Sequence, residues 1–375
     1  MKGLWDVIAS EVRKSDEETT AMTLLRRVIP GITAGIALLL PAALLPAVDD
    51  TAALRDPREL HLANIHQLTA GGQNAEAYFS TDGTRIIFQA TRPPYDCDQI
   101  FTMNLDGGDV RLASTGKGRT TCSFFFPDGK RFVYASTHLA GDGCPAPPDR
   151  SQGYIWALYP EYDIFIGSPD GGPPVRLTDT PGYDAEAAVS PDGSRIVFTS
   201  VRDGDLELYT MKPDGSDVKR LTNRVGFDGG PFYSWDGKHI VYRSNYLEKP
   251  EEIAEYRALL AKGLMRPTRA EVFFMEADGN EQTQVTKTGD ANWSPFMHPN
   301  NRQIIYSSNM HDPQKRTFSL YVINTDGSGT ERVSFGARFD SFPMFSRDGK
   351  KLLFCSTRNA AGPHEFNIFI ADWVP

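Results

Sequence analysis

One phrase of about fifteen residues returns six times along the chain, and an array of that kind leaves few folds open. The copies are YFSTDGTRIIFQATR, FFFPDGKRFVYASTH, AVSPDGSRIVFTSVR, FYSWDGKHIVYRSNY, FMHPNNRQIIYSSNM and MFSRDGKKLLFCSTR. Their turn residues are Asp82, Asp128, Asp192, Asp236, Asn300 and Asp348. The unit is about 45 residues long, with about 20 more in the second and fourth copies, which is the length of a propeller blade. Each unit reads as four strands. An inner strand ends at the Asp-Gly turn, and a β-branched and aromatic strand such as RIVFTS follows. Then come a third such as LELYTMK, a second Asp-Gly hairpin, and a short strand such as VKRLT. Asp-Gly supplies the positive φ angles that tight hairpins require. The sixth unit ends at FNIFIADWVP without its fourth strand, and LHLANIHQLT, ahead of the first unit, matches the missing piece. The expected fold is all-β: a six-bladed propeller of four-stranded blades over residues 60–375, closed by an N-terminal strand.

The two longer units differ in character. PEEIAEYRALLAKG in the fourth has Pro250 at a first helical position, Glu251 and Glu252 in the first turn and Gly263 as a stop, which predicts a short helix with Ile253, Tyr256 and Leu260 on one face. The second unit carries a Pro/Gly loop and then the aromatic residues Tyr154, Trp156, Tyr159 and Tyr162. These are expected to pack on a neighbouring blade, with a partner surface as the alternative.

From Val28 to Val48 there is no charged residue, and Arg26 and Arg27 stand immediately before. Residues 1–48 therefore read as an export signal, with Met22 as the true start and cleavage after Ala43 or Ala47, or as an uncleaved membrane anchor. Residues 49–59 read as a linker. The bulk is expected in the periplasm or outside the cell, where four cysteines can oxidise. Cys97 is expected to pair with Cys144, since both fall between second and third strands of adjacent blades, with Cys122, which begins its strand on the same face, as an alternative for either partner; otherwise Cys122 and Cys355 read as buried thiols. With 39 Lys plus Arg against 48 Asp plus Glu, the net charge of −9 argues against nucleic acid as a partner.

The repeat resembles that of the TolB-type, WD40-like propellers, which reads LT, a loop with Asp, Pro, then SPDG, an aliphatic strand and S-x-R. Residues 176–215, RLTDTPGYDAEAAVSPDGSRIVFTSVRDGDLELYTMKPDG, fit it nearly throughout. The resemblance implies the propeller and is much less specific about activity. Residues 49–59 are expected to hold no mixed α/β domain of the kind that precedes the propeller in TolB, and no hydrolase domain of the kind that follows similar propellers in prolyl-oligopeptidase-like enzymes is expected after the sixth blade.

Eight residues before each turn lie Asn74, Thr120, Asp184, Asp228, Asn292 and Asp340, expected at the channel mouth. Two further on are Glu76, Cys122, Glu186, Gly230, Ser294 and Phe342, of which Glu76 and Glu186 deepen an acidic lining by strand parity. Arg92, His138, Arg202 and Arg358 return to the same face as a supporting ring. Such a ring could hold a cation, an ammonium group or a peptide loop. The alternative is that the Asp and Asn side chains cap their own loops and pair with the arginines. Calcium in the channel suits the oxygen donors, and His138, His311 and His364 could reach a softer metal, but no cofactor is required. No G-x-S-x-G, H-E-x-x-H or G-x-x-x-x-G-K-[ST] motif occurs. The expectation is a monomeric, non-enzymatic scaffold for an envelope protein or peptide. The alternatives are a metal-assisted lyase or hydrolase with its site at the channel mouth, and an adaptor or sensor for a separate hydrolase.

Overall fold

The computed structural model describes residues 54–149, 151 and 153–375; the proposed export signal lies outside them. Six four-stranded antiparallel sheets stand around an axis, numbered here as blades 1 to 6 in chain order. Their innermost strands are Gln73–Phe79, Thr120–Phe125, Asp184–Val189, Gly226–Tyr233, Asn292–Met297 and Asp340–Phe345. Blade 6 is completed by Leu62–Gln67, which runs antiparallel to Asn367–Trp373 with Leu62 opposite Trp373 and Gln67 opposite Phe369. That is the closure the missing sixth hairpin predicts. The fourth strands of the other blades are only two residues long, so little unpaired edge faces solvent.

The repeated residues recur in the structure as repeated contacts. The Thr or Ser of each LT-like pair accepts the amide of the second residue of the third strand in all six blades, from Ser114 on Ile100 to Thr69 on Ile368, at 2.8–3.0 Å. The aromatic residue of each second strand faces an aromatic residue of the third. Phe88–Phe101, Tyr134–Phe165, Phe198–Tyr209, Tyr242–Phe273, Tyr306–Tyr321 and Phe354–Phe369 all have centroids 5.6–5.8 Å apart. Cross-strand aromatic pairs of this kind stabilise a sheet beyond simple burial.

Residues expected to be a linker are instead docked where the structure describes them. Glu59 is fully buried, taking Arg358 Nη2 at 3.0 Å and the amides of Phe335 and Gly336 at 2.9 and 3.1 Å. The two insertions also meet. The helix Pro250–Leu260 forms as expected and buries Tyr256, whose hydroxyl donates to Asp205 and to the Gly226 carbonyl. Beyond it, Leu264–Met265 pairs antiparallel with Trp156–Ala157 of the second insertion. Blades 2 and 4 are thus bridged over blade 3. No helix among the described residues is long and apolar enough to cross a membrane.

Candidate functional site

The register of every innermost strand slips at the same place, between Ala75 and Tyr78 in blade 1 and at the matching positions elsewhere. The residue in the slip has a left-handed backbone: Glu76, Cys122, Glu186, Gly230, Ser294 and Phe342 have φ of 50–58°. A blade stands edge-on to the channel, so regular alternation sends its side chains to the neighbouring blades and none to the axis. The bulge turns one side chain per blade inward. Its freed amide is taken by the preceding blade where partners allow, Cys122 N–H donating to Gln89 Oε1 at 3.0 Å and Gly230 N–H to Glu186 Oε2 at 2.8 Å.

This geometry corrects the placement of the first polar set. Asn74, Thr120, Asp184, Asp228, Asn292 and Asp340 are each at most 1% exposed and lie between blades, not at the channel mouth. Asn74 and Asn292 donate to the carbonyls of Phe366 and Ala270 on the preceding blade, both at 3.0 Å, and Thr120 to that of Asp98, also at 3.0 Å. Asp184 pairs with Arg202 at 3.1 Å and Asp340 with Arg358 at 3.3 Å, the pairing weighed as the alternative. Arg92 lies over the Phe101 ring. His138 contacts Ser136 Oγ at 2.8 Å and packs on Phe165, and burial pushes its imidazole below the usual range, so it is neutral near pH 7.

The bulge ring encloses a cavity of about 200 Å³. Its floor is an aromatic layer in which Tyr78, Phe124, Phe232 and Phe296 pack at 5.1–5.8 Å. Its roof is Ile155–Tyr159 of the second insertion, with Trp293 at the side. The aromatic stretch that the sequence assigns to packing therefore also walls the site. Arg243, 6% exposed, pairs with Glu186 and lies under the rings of Trp156 and Phe227 at 5.0 and 5.2 Å. Glu186 also accepts from Thr199 at 3.0 Å. Arg119 stands 3.7 Å from Asp98.

Glu76 is placed differently. Burial pushes its carboxyl up to about 7; a hydrogen bond from the Cys122 thiol and the Arg243 charge pull it down, while Glu186 and Asp98 raise it further. Burial, with Glu76 and Glu186 nearby, pushes the Cys122 thiol well above its ordinary value, so it is a protonated donor and a poor nucleophile. Sequence reasoning finds Glu76 and Glu186 and misses Arg243, Arg119, Asp98 and Trp293. Arg243 had a signal, since it interrupts the otherwise apolar strand HIVYRS.

Cys97 and Cys144 form a disulfide with Cα atoms 5.9 Å apart, and Cys122 and Cys355 are free. The bond ties the second insertion, and so the roof, to blade 1. It closes a separation of 47 residues. Cys97→Ser is expected to lower stability by about 4 kcal/mol on the chain-entropy relation, read by denaturant unfolding under oxidising conditions. An unchanged midpoint would show that the tether carries no weight. Among the described residues no group of three or more His, Cys, Asp or Glu side chains could hold a metal ion, so His138, His311 and His364 do not converge.

A closed six-bladed propeller whose channel is floored, roofed and lined by one inward residue per blade is an architecture that contains both scaffolds and enzymes. Residues 159–258 match a family model described as the TolB beta propeller domain. A protein TolB homolog of Chlorobium luteolum is 23% identical over 154 residues, a match covering 35% of this chain and 35% of that protein. The matched stretch is thus about a third of the relative's length. The structure of putative TolB from Agrobacterium tumefaciens superposes with a TM-score of 0.54 at 17% identity, covering 83% of this chain and 97% of that one. An oligogalacturonate lyase in complex with manganese gives a TM-score of 0.51 at 13% identity over 83% and 93%. At these identities the structural likenesses speak for the fold alone. The chain is a six-bladed β-propeller that resembles the TolB type, with the family match over residues 159–258.

Proposed function

We propose that the protein is a non-enzymatic binding propeller of the cell envelope, exported by its N-terminal apolar segment. In this reading it acts as a monomer, needs no cofactor, and takes a protein or peptide partner over its loop-rich face with one group seated in the central pocket. The observation that carries the reading is the pocket itself, concave and mostly apolar with a few convergent polar groups, as ligand sites usually are. The TolB name borne by relatives supports an envelope setting.

The test is crosslinking capture from an envelope fraction, then titration of the identified partner against wild type and Trp156→Ala. Removing the roof ring is expected to weaken binding at least tenfold, the range of a central aromatic anchor. Equal affinities would overturn the assignment of the site. Metal analysis of the purified protein, together with an assay on acidic oligosaccharides, addresses the lyase alternative, to which the fold likeness alone lends support. Recovery of a hydrolase as the partner would assign the adaptor role.

A further inference from the structure

We infer that the group captured in the central pocket is a single organic cation, an alkyl ammonium or guanidinium, and that Glu76 is its counter-charge. This rests on the reading of the pocket as the binding site and names the chemistry that the site selects. The pocket carries three carboxylates, Glu76, Glu186 and Asp98, against two guanidiniums, Arg243 and Arg119. Both guanidiniums face a carboxylate. Arg243 is held by Glu186 beneath Trp156 and Phe227, and Arg119 stands against Asp98. With Glu76 ionised the set carries one net negative charge, which favours a cationic guest over an anionic one. Glu76 is met on its bulge neighbour by the Cys122 thiol, a neutral donor; the Arg243 charge reaches it, but Arg243 is ion-paired to Glu186.

The surroundings fit such a guest. Tyr159, Tyr162, Trp293 and Phe342 contribute to the walls, and aromatic faces attract ammonium and guanidinium groups when water is excluded. A cavity of about 200 Å³ admits a side chain and excludes any folded element. A neutral apolar guest would instead hold Glu76 in its protonated form, the opposite dependence on pH from a cation.

Binding is coupled to a proton. The groups facing Glu76 are Tyr78 and Asp98 on its own blade, Cys122 on blade 2, Glu186 on blade 3, Arg243 on blade 4 and Cys355 on blade 6. Both thiols stay protonated, because burial raises each well above its ordinary range. Glu76, at about 7, is the group that changes charge near neutrality. A cation draws it into the ionised form and releases a proton, so affinity rises as pH passes upward through 7. If only the ionised form binds, affinity at pH 8 is about tenfold that at pH 6.

The experiment titrates the purified protein by calorimetry with acetyl-Gly-Arg-Gly-amide, its citrulline counterpart and butylguanidinium, at pH 6 and pH 8. The arginine peptide is expected to bind at least tenfold tighter than the citrulline peptide, and about tenfold tighter at pH 8 than at pH 6. Glu76→Gln should lose both differences, and Glu76→Asp should retain the preference for charge. Melting curves of both variants accompany the titrations, and the Asp variant keeps the test decisive if the Gln variant folds poorly. Butylguanidinium binding as tightly as the peptide marks a free small cation as the guest, and binding by the peptide alone marks a basic side chain; both support the inference. Equal binding of arginine and citrulline, no binding by either cationic probe, or an arginine preference that survives in Glu76→Gln overturns it. A captured partner that is sensitive to Trp156→Ala but indifferent to Glu76→Gln would leave the pocket as the binding site and remove the cation.

Discussion

Deletion of residues 54–69 from the full chain is expected to abolish the cooperative thermal transition. The deleted piece contains the outer strand of blade 6, on which Leu62 and Ile65 are fully buried. It also contains the hydroxyl of Thr69 that caps the Ile368 amide at 2.9 Å and the amide of Leu68 that donates to Ile368 O at 2.8 Å. Losing two buried aliphatic side chains costs roughly 2–5 kcal/mol each, and the exposed edge of Asn367–Trp373 adds an aggregation route. That total rivals the whole net stability of an ordinary domain, about 5–15 kcal/mol. A point substitution separates the docked segment from the strand. Glu59→Ala leaves Arg358, 5% exposed, with only Asp340 as its carboxylate, and breaking such a buried arrangement typically costs about 3–5 kcal/mol. Wild-type melting of Glu59→Ala would return residues 54–59 to the status of a linker.

Asp228→Asn is expected to stabilise the protein at alkaline pH and to flatten its pH dependence. Asp228 is fully buried, with Glu207 of the preceding blade, Thr222 and Ser244 around its carboxyl. Burial pushes the group well above its ordinary value; the hydroxyls pull it down and the Glu207 charge pushes it up. The folded protein therefore holds a proton that the unfolded chain has released once pH exceeds the ordinary Asp value of 3.8. Stability is full below that value and declines as pH rises towards the folded one, by up to about 1.4 kcal/mol per pH unit. The remedy is already built into another repeat. At the same position blade 5 has Asn292, whose amide donates to Glu271 Oε2 at 3.0 Å, and Glu271 occupies the place of Glu207. Asparagine at 228 can make that bond without a proton. A gain of about 1 kcal/mol or more at pH 8 is expected, shrinking towards pH 4. Melting curves of the two proteins that run parallel from pH 4 to pH 9 would rule out the proton on Asp228.

The blades were legible because their cues are local. Asp-Gly turns, alternating β-branched and aromatic residues and the LT pair each act within a few residues, and all recur. Ring closure was legible because a missing strand at one end matched a spare one at the other. The site was half legible. Nothing in the types Glu76, Cys122, Glu186, Ser294 and Phe342 announces a left-handed backbone; only Gly230 among the six is a residue that adopts it freely. Counting by twos from Asn74 through Glu76 therefore assigned both to the channel, whereas the bulge sends one between blades and the other to the axis. The pairing of Trp156–Ala157 with Leu264–Met265 was illegible for a different reason. Two-residue strands carry no periodicity, and their partners lie about a hundred positions apart, where loop closure rather than local preference decides.

The bridge between the two insertions gives the molecule a handed, one-sided entrance. Six near-identical blades around an axis offer every azimuth equally, and a guest seated on that axis could trail its remainder in any direction. With blades 2 and 4 spanned over blade 3, and the same arm fastened to blade 1 by the Cys97–Cys144 bond, part of that circle is fenced. Whatever extends from a seated group must leave beside the fence and not through it. A pseudo-symmetric ring thereby acquires a front and a back, and a long chain held at one point acquires a direction of travel across the surface.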